Sequence, residues 1–152
     1  MKYDQDHKPL HVLLVDDDED DRQLLREAIH SYKTNLALHS IADGEELMSY
    51  LTLCNGNTPD LIFMDLNMPR KNGMECLVEM RTDTSLNNTV IAIYSTSSSK
   101  KEVDNAFLAG ANIFITKPNT YEALKKVVAD VLSINMLYSS PAMRKEHFMM
   151  LR

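Results

Sequence analysis

The chain lacks the features of membrane, secreted and nucleic-acid-binding proteins. No apolar run approaches the ~18 residues that cross a bilayer, and the first six residues, MKYDQD, are too polar for a signal peptide. The two cysteines, Cys54 and Cys76, have no paired spacing, which predicts reduced thiols rather than a disulfide. The net charge is −6 and no basic stripe dominates any segment, which argues against a nucleic-acid surface. We expect a soluble cytoplasmic protein that binds neither membranes nor nucleic acids.

The length and composition fit a single folded domain. A chain of 152 residues lies in the single-domain range and buries roughly 70% of the surface that its unfolded form exposes. Hydrophobic residues at 44% and charged residues at 25% are ordinary for a globular protein, so a complete core is expected. We predict a flexible lead-in over residues 1–9, one domain over residues 10–137 and a C-terminal tail over residues 138–152.

Short apolar runs alternate along the chain with segments of helical periodicity. The alternation predicts a parallel sheet that helices cover on both faces, and right-handed crossovers then require a doubly wound α/β layout. In such sheets the ligand site lies outside the carboxyl ends of the strands. The five predicted strands are residues 11–15, 36–41, 61–64, 90–94 and 113–116.

Polar residues follow four of the five runs directly. Asp16 and Asp17 follow the first run, and Asp65 follows the third. Ser95 follows the fourth run, and Lys117 follows the fifth. Because the carboxyl ends of parallel strands meet at one edge of a sheet, we expect these five side chains to converge.

The three aspartates of this group predict a metal site. Carboxylates drawn together repel one another unless a cation joins them, and oxygen ligands without histidine or cysteine favour a hard cation. We expect Mg²⁺, with Mn²⁺ as the alternative, bound directly by Asp17 and Asp65. Asp16 would bind directly or through water, and the backbone carbonyl of Asn67 would supply another oxygen. Magnesium sites of this kind combine a few carboxylates with phosphate oxygens, which predicts a phosphoryl ligand.

The remaining residues of the group suit phosphoryl chemistry. An ionised carboxylate can act as the nucleophile and form an acyl phosphate, and the Lys117 ammonium would neutralise a phosphate oxygen. The Ser95 hydroxyl, assisted by the Thr96 backbone N–H, would donate to another oxygen. Pro118 suggests a cis peptide bond after Lys117 that aims the lysine inward. Each element alone is typical of a solvated surface, and only the shared position at the strand ends indicates a site.

These motifs together resemble the receiver domain of two-component response regulators. The resemblance covers about residues 9–136 and implies a flavodoxin-like (βα)5 fold with five parallel strands in the order 2-1-3-4-5. The matching stretches are LVDDD at 14–18, MDLNMP at 64–69 with Gly73, ST at 95–96, AGA at 109–111 and KP at 117–118.

The resemblance also implies roles for the residues at the strand ends. Asp65 would accept a phosphoryl group from a phosphohistidine on a sensor histidine kinase or phosphotransfer protein. Asp16 and Asp17 would belong to the Mg²⁺ site, while Ser95 and Lys117 would contact the phosphoryl group. The role of Asp18 is left open: it would either support the metal site or be the first residue of the following loop.

Two segments resemble a subgroup of the family. LNMPRKNG at 66–73 and RTDTSL at 81–86 are similar to the small stand-alone regulators that are paired with bacterial phytochromes.

The family's switch moves a Ser or Thr together with an aromatic residue on the fifth strand, which implies switch roles for Ser95, Thr96 and Phe114. Many members have tyrosine where Phe114 stands, and we expect Phe114 to act by packing alone.

The tail, residues 138–152, is too short for a separate DNA-binding module, so we expect output through protein–protein contacts. These would use the fourth helix, fifth strand and fifth helix, or a homodimer there. One helical face of the tail would carry Met143, His147 and Met150. This pattern has two interpretations. The tail either is disordered or packs on its own domain, or it is a docking segment for a partner or a second copy.

Two other functions use related features. An aspartate-nucleophile phosphohydrolase needs a second aspartate two residues after the nucleophile as general acid, and that position is Asn67. A receiver-like protein used only for binding would not need the site residues, all of which are present here. We therefore expect a phosphoacceptor with slow autodephosphorylation and no turnover of an external substrate.

Overall fold

The computed structural model describes residues 8–137 and 149–151. Within them, six parallel strands form one sheet in the order β2-β1-β3-β4-β5-β6, accompanied by five α-helices. The strands are β1 Leu10–Val15, β2 Leu36–Ile41, β3 Leu61–Met64, β4 Val90–Ser95, β5 Ile113–Thr116 and β6 Met149–Leu151. The helices are α1 Glu19–Tyr32, α2 Gly44–Cys54, α3 Gly73–Arg81, α4 Lys100–Ala109 and α5 Tyr121–Leu137. In this part of the chain no helix has the length and apolar character to cross a membrane.

The sheet is buried on both faces, as the apolar runs predict. Successive residues of β1 point to opposite sides, so Val12 and Leu14 enter one core cluster while Leu13 and Val15 enter the other. The first cluster contains the buried faces of α1 and α5, and the second contains those of α2, α3 and α4. This two-sided burial confirms the doubly wound layout and leaves the strand ends as the polar rim.

Helix starts are fixed by polar residues at the rim. The Asp18 carboxylate accepts the backbone N–H groups of Asp20 and Asp21 and so begins α1 immediately after the first strand end. At the start of α3, Asn72 and Glu75 each accept the other's backbone N–H in a reciprocal capping box. These caps set the rotation of each helix and therefore which side chains face the strand ends.

The expected five-stranded sheet is corrected by a sixth strand. The first five strands have the predicted order, and β6 pairs in parallel with β5, with Ile113 opposite Met149. Met150, expected on a helical face, lies instead on this strand, while Met143 and His147 lie outside the described residues. The edge of β5 offers unpaired backbone groups that a short strand satisfies, and three residues are too few for any periodicity to show in the sequence.

Arg81 joins the end of α3 to the starts of β4 and β5. Its guanidinium donates to the carbonyls of Gly110, Leu86 and Thr89 at 2.9 to 3.2 Å, and to the Asn112 side-chain oxygen at 2.8 Å. The same Asn112 oxygen accepts a buried backbone N–H of β4. One arginine therefore satisfies several carbonyl groups that no helix or strand ladder pairs.

We predict that Arg81→Met lowers the free energy of unfolding by about 2 kcal/mol or more, because the Gly110 and Thr89 carbonyls lose the Arg81 donor. Arg70→Met is the matched control, since the Arg70 guanidinium is exposed and its pair with Asp43 contributes about 1 kcal/mol or less. Urea unfolding followed by circular dichroism measures both losses. Equal losses in the two variants would contradict the role given to Arg81.

Candidate functional site

Two buried aspartates end neighbouring strands of the sheet. Asp16 follows β1 and Asp65 follows β3, and both are buried. The Asp65 backbone N–H donates to the Val15 carbonyl at 2.9 Å, and the Asp16 N–H donates to the Ile41 carbonyl at 3.0 Å. The hydrogen-bonding pattern of the sheet thus extends one residue beyond the strands and fixes the backbone of both aspartates.

Gly73 allows the loop after β3 to close over Asp65. A Cβ atom at this position would lie 2.3 Å from the Asp65 carbonyl oxygen, a distance that no side chain tolerates. The Gly73 N–H also donates to the Leu66 carbonyl at 2.8 Å. Only glycine permits this approach, which places the start of α3 beside the acidic site.

Lys117 is the cation at the centre of the site. Its Nζ lies 2.9 Å from Asp16 Oδ2, 3.0 Å from Asp65 Oδ2 and 2.8 Å from Asp21 Oδ2. The ammonium also lies 5.1 Å from the centre of the Tyr94 ring, within reach of a cation–π interaction. A lysine has three N–H donors, and each has a carboxylate acceptor here.

The charges of the site do not balance. Three carboxylates around one ammonium leave an excess of two negative charges, and the exposed carboxylate of Asp17 lies beside them. Burial alone would lower the pKa of Lys117, but its hydrogen bonds to Asp21, Asp16 and Asp65 outweigh burial and raise that pKa. Burial raises the pKa of Asp16 despite its hydrogen bonds from the Asp18 N–H and Lys117. The site therefore favours an added cation.

Three aspartates can hold that cation. Asp16, Asp17 and Asp65 each offer a carboxylate oxygen, and these oxygens lie within 4.8 Å of one another. No other such group occurs among the described residues. The donors are all oxygen, which fits Mg²⁺ or Mn²⁺ as the sequence predicts. The carbonyl of Asn67 remains a predicted ligand; its backbone N–H donates to Asp65 Oδ1 at 3.0 Å.

The structure assigns Asp18, which the sequence left open, to the start of α1. Its Oδ1 accepts the N–H groups of Asp20 and Asp21 at 2.9 and 3.2 Å, and its own N–H donates to Asp16 Oδ1 at 2.9 Å. Asp18 is therefore the first residue of the turn that leads into the helix, and its N–H helps to orient Asp16.

The predicted switch residues occupy the end of β4 and the middle of β5. Ser95 is fully buried, and its Oγ accepts the Ser97 N–H at 3.2 Å, whereas Thr96 is exposed. Phe114 is buried in the core cluster that contains α3 and α4. The Lys117 N–H donates to the Ser95 carbonyl at 2.8 Å, so the serine and the lysine belong to adjacent strand ends.

The expected cis peptide bond between Lys117 and Pro118 is wrong, because no cis peptide bond occurs in the described ranges. With a trans bond the Lys117 ammonium already lies within 3.0 Å of three carboxylates. The cis form, which is less stable by about 0.5–1 kcal/mol before proline, is not needed to aim the lysine.

The sequence did not indicate Asp21 or Arg22. Asp21 reads as part of a solvated acidic run, yet it contacts Lys117, and Arg22 donates to the Asp16 backbone carbonyl. The signal for Asp21 is its position three residues after the helix cap Asp18, which turns it back toward the strand ends. The phase of the helix therefore matters as much as the type of residue.

Comparison with known proteins decides the family. The family model described as the response regulator receiver domain matches residues 12–129, most of the chain. The chain belongs to the response regulator receiver family. The fold is that of a receiver domain, and the resemblance seen in the sequence is confirmed.

The receiver is similar to two cyanobacterial response regulators, Rcp1 and RcpA, the second of which is by name a phytochrome response regulator. Response regulator Rcp1 of Synechocystis is 28% identical over 134 residues, which cover 86% of this chain and 91% of Rcp1. The crystal structure of the phosphorylated cyanobacterial phytochrome response regulator RcpA has a TM-score of 0.79 at 28% identity and covers 87% of this chain and 97% of that one. The Mn²⁺-bound form of Rcp1 has a TM-score of 0.76 at 28% identity, with the same coverage.

We predict that Asp17→Asn lowers Mg²⁺ affinity by about tenfold or more, the scale on which even hydrogen-bond partners of metal ligands act. Asp20→Asn is the matched control, since Asp20 is a neighbouring exposed aspartate of the same acidic run and lies outside the metal group. Isothermal titration calorimetry with Mg²⁺ measures both affinities. Equal losses of Mg²⁺ affinity in the two variants would contradict the role of Asp17 as a metal ligand, because the net charge of the acidic run would then explain both losses.

The raised pKa of Asp16 predicts how stability depends on pH. The folded protein binds a proton at Asp16 more tightly than the unfolded chain, so stability falls as pH rises from the ordinary value of 3.8 through the raised pKa. With metal removed by a chelator, Asp16→Asn should therefore have a higher Tm than wild type at neutral pH. The difference in Tm should vanish below pH 3.8, the ordinary pKa of an aspartate. Asp130→Asn, at a half-exposed position on α5, is the control. A neutral-pH Tm at or below that of wild type would refute the assignment.

Proposed function

We propose that this receiver accepts a phosphoryl group on Asp65 from a phosphohistidine of a sensor histidine kinase and signals through changed protein contacts. One observation carries the proposal. Asp65 Oδ1 accepts the Asn67 N–H, while Asp65 Oδ2 accepts the Lys117 ammonium at 3.0 Å. Both oxygens of one strand-end carboxylate are thus oriented beside two other acids that suit a metal ion.

The transfer would be a displacement at phosphorus. An oxygen of the Asp65 carboxylate forms the new O–P bond as the P–N bond of the phosphohistidine breaks, and the electron pair of that bond stays on the imidazole nitrogen. Lys117 neutralises charge on the phosphoryl oxygens, and Ser95 and the Thr96 N–H donate to them. Mg²⁺ held by Asp16, Asp17, Asp65 and the Asn67 carbonyl would supply further charge neutralisation.

The site suits a single transfer better than turnover. A phosphohydrolase of this chemistry would have an acid at Asn67, and an asparagine cannot shuttle a proton. Here the Asn67 backbone N–H donates to Asp65 instead. We therefore propose that Asp65 holds the phosphoryl group, that its loss by autodephosphorylation is slow, and that no external substrate is turned over.

The proposed phosphodonor is a phytochrome-type histidine kinase in the cytoplasm. The similarity to Rcp1 and to a phytochrome response regulator, RcpA, supports this class of partner. Two sequence segments, 66–73 and 81–86, point to the same subgroup.

The proposed output surface includes α4, β5, the start of α5 and β6. Phe107 and Leu108 on α4, Tyr121 on α5 and Met150 on β6 are large apolar residues that solvent reaches. We propose that a downstream protein or a second copy of the chain docks here. The Ser95 hydroxyl, drawn toward the phosphoryl group, would release the Ser97 N–H and so move the loop that leads into α4.

We predict that Asp65→Asn abolishes phosphate uptake from acetyl phosphate in the presence of Mg²⁺, because an amide cannot act as the nucleophile. Asp104→Asn, an exposed position on α4, is the control and should behave as wild type. Intact-protein mass spectrometry detects the added mass of one phosphoryl group. Uptake by Asp65→Asn would exclude Asp65 as acceptor, and release of many phosphates per protein molecule would favour the hydrolase.

A further inference from the structure

Among the described carboxylates that contact Lys117, Asp21 is the one that the metal site does not use. The group of oxygens able to hold a cation consists of Asp16, Asp17 and Asp65, and Asp21 is not among them. Its side chain is 33% exposed, whereas those of Asp16 and Asp65 are 6% and 10% exposed. The contact with Lys117 at 2.8 Å is nevertheless the shortest of the three.

The first turn of α1 fixes Asp21 in this position. Its backbone N–H donates to the Asp18 carboxylate, and the same helix is anchored by the buried side chains of Leu25, Ala28 and Ile29. The Asp21 carboxylate therefore reaches Lys117 from a rigid element across the end of the sheet. This contact ties α1 to the end of β5, independently of the two strand-end aspartates.

Phosphorylation changes which groups compete for the ammonium. When Asp65 becomes an acyl phosphate it loses its carboxylate charge, and the phosphoryl oxygens become the stronger acceptors. Modification of Asp65 frees the Lys117 donor that its carboxylate held, while Asp16 and Asp21 still hold the other two donors. Asp21 is not modified by the transfer, and its carboxylate competes with the phosphoryl group for the same ammonium.

We propose that Asp21 is a positioning residue that restrains Lys117 and opposes the binding of a phosphoryl anion at Asp65. The proposal rests on the proposed function, and it concerns how tightly the site holds the phosphoryl group. Asp21 keeps the lysine in place before phosphorylation and weakens the phosphorylated state. Removing its charge while keeping its size should therefore tighten anion binding, the opposite of what simple structural damage would do.

The test uses beryllium fluoride, a stable analogue of the phosphoryl group, with the full chain in saturating Mg²⁺. Isothermal titration calorimetry compares wild type with Asp21→Asn, Asp21→Glu and Asp20→Asn. Asp20 is the matched control, because it lies in the same helical turn, is exposed and has no contact with Lys117 among the described interactions.

We expect Asp21→Asn to bind beryllium fluoride about tenfold more tightly than Asp20→Asn, the effect of one like charge a few ångströms away in a partly exposed site. Asp21→Glu keeps the charge and should bind as wild type does. Removing a negative charge cannot strengthen Mg²⁺ binding, so Mg²⁺ affinity should not rise in Asp21→Asn, and tighter anion binding there cannot come from a tighter metal site.

Equal or weaker anion binding by Asp21→Asn relative to Asp20→Asn would overturn the proposal while leaving the phosphoacceptor function intact. A wild-type protein that binds no beryllium fluoride and takes no phosphoryl group from acetyl phosphate would instead overturn the proposed function, and this inference with it.

Discussion

The ammonium of Lys117, shared by three carboxylates, is the interaction on which the rest of the site depends. Asp16 and Asp65 are buried at the ends of adjacent strands, where uncompensated charge is strongly unfavourable. The lysine follows β5 and reaches both, and it also draws in Asp21 from the first turn of α1. The remaining excess of negative charge makes the rim a binding place for a metal ion and, through that ion, for a phosphoryl group.

The sequence predicts this arrangement because its signals are local. An apolar run that stops at a charged residue identifies both a buried strand and its polar end, as residues 61–64 and Asp65 do. The parallel topology then brings residues as far apart as Asp16 and Lys117 to one edge without any further information. Cap residues such as Asp43 and Ser99 fix helix starts in the same local way.

The sequence does not predict features that depend on how far a side chain reaches or on the pairing of a short edge strand. Asp21 differs from its exposed neighbours only by the phase of α1, which the Asp18 cap sets in three dimensions. The peptide bond before Pro118 is trans, and in this form the Lys117 ammonium reaches Asp65, an outcome that the Lys-Pro pair alone does not reveal. The strand Met149–Leu151 depends on the open edge of β5, and nothing within three residues reveals such an edge.

We propose that Lys117 links the acidic rim to a phosphoryl group carried by Asp65. Nitrogen-15 NMR of the lysine ammonium groups, with Lys117 assigned from the signal missing in Lys117→Arg, measures this link before and after phosphorylation by acetyl phosphate. We expect a charged Lys117 in both states and a Lys117 signal that shifts as the phosphorylated protein forms. An unchanged Lys117 signal in fully phosphorylated protein would contradict it.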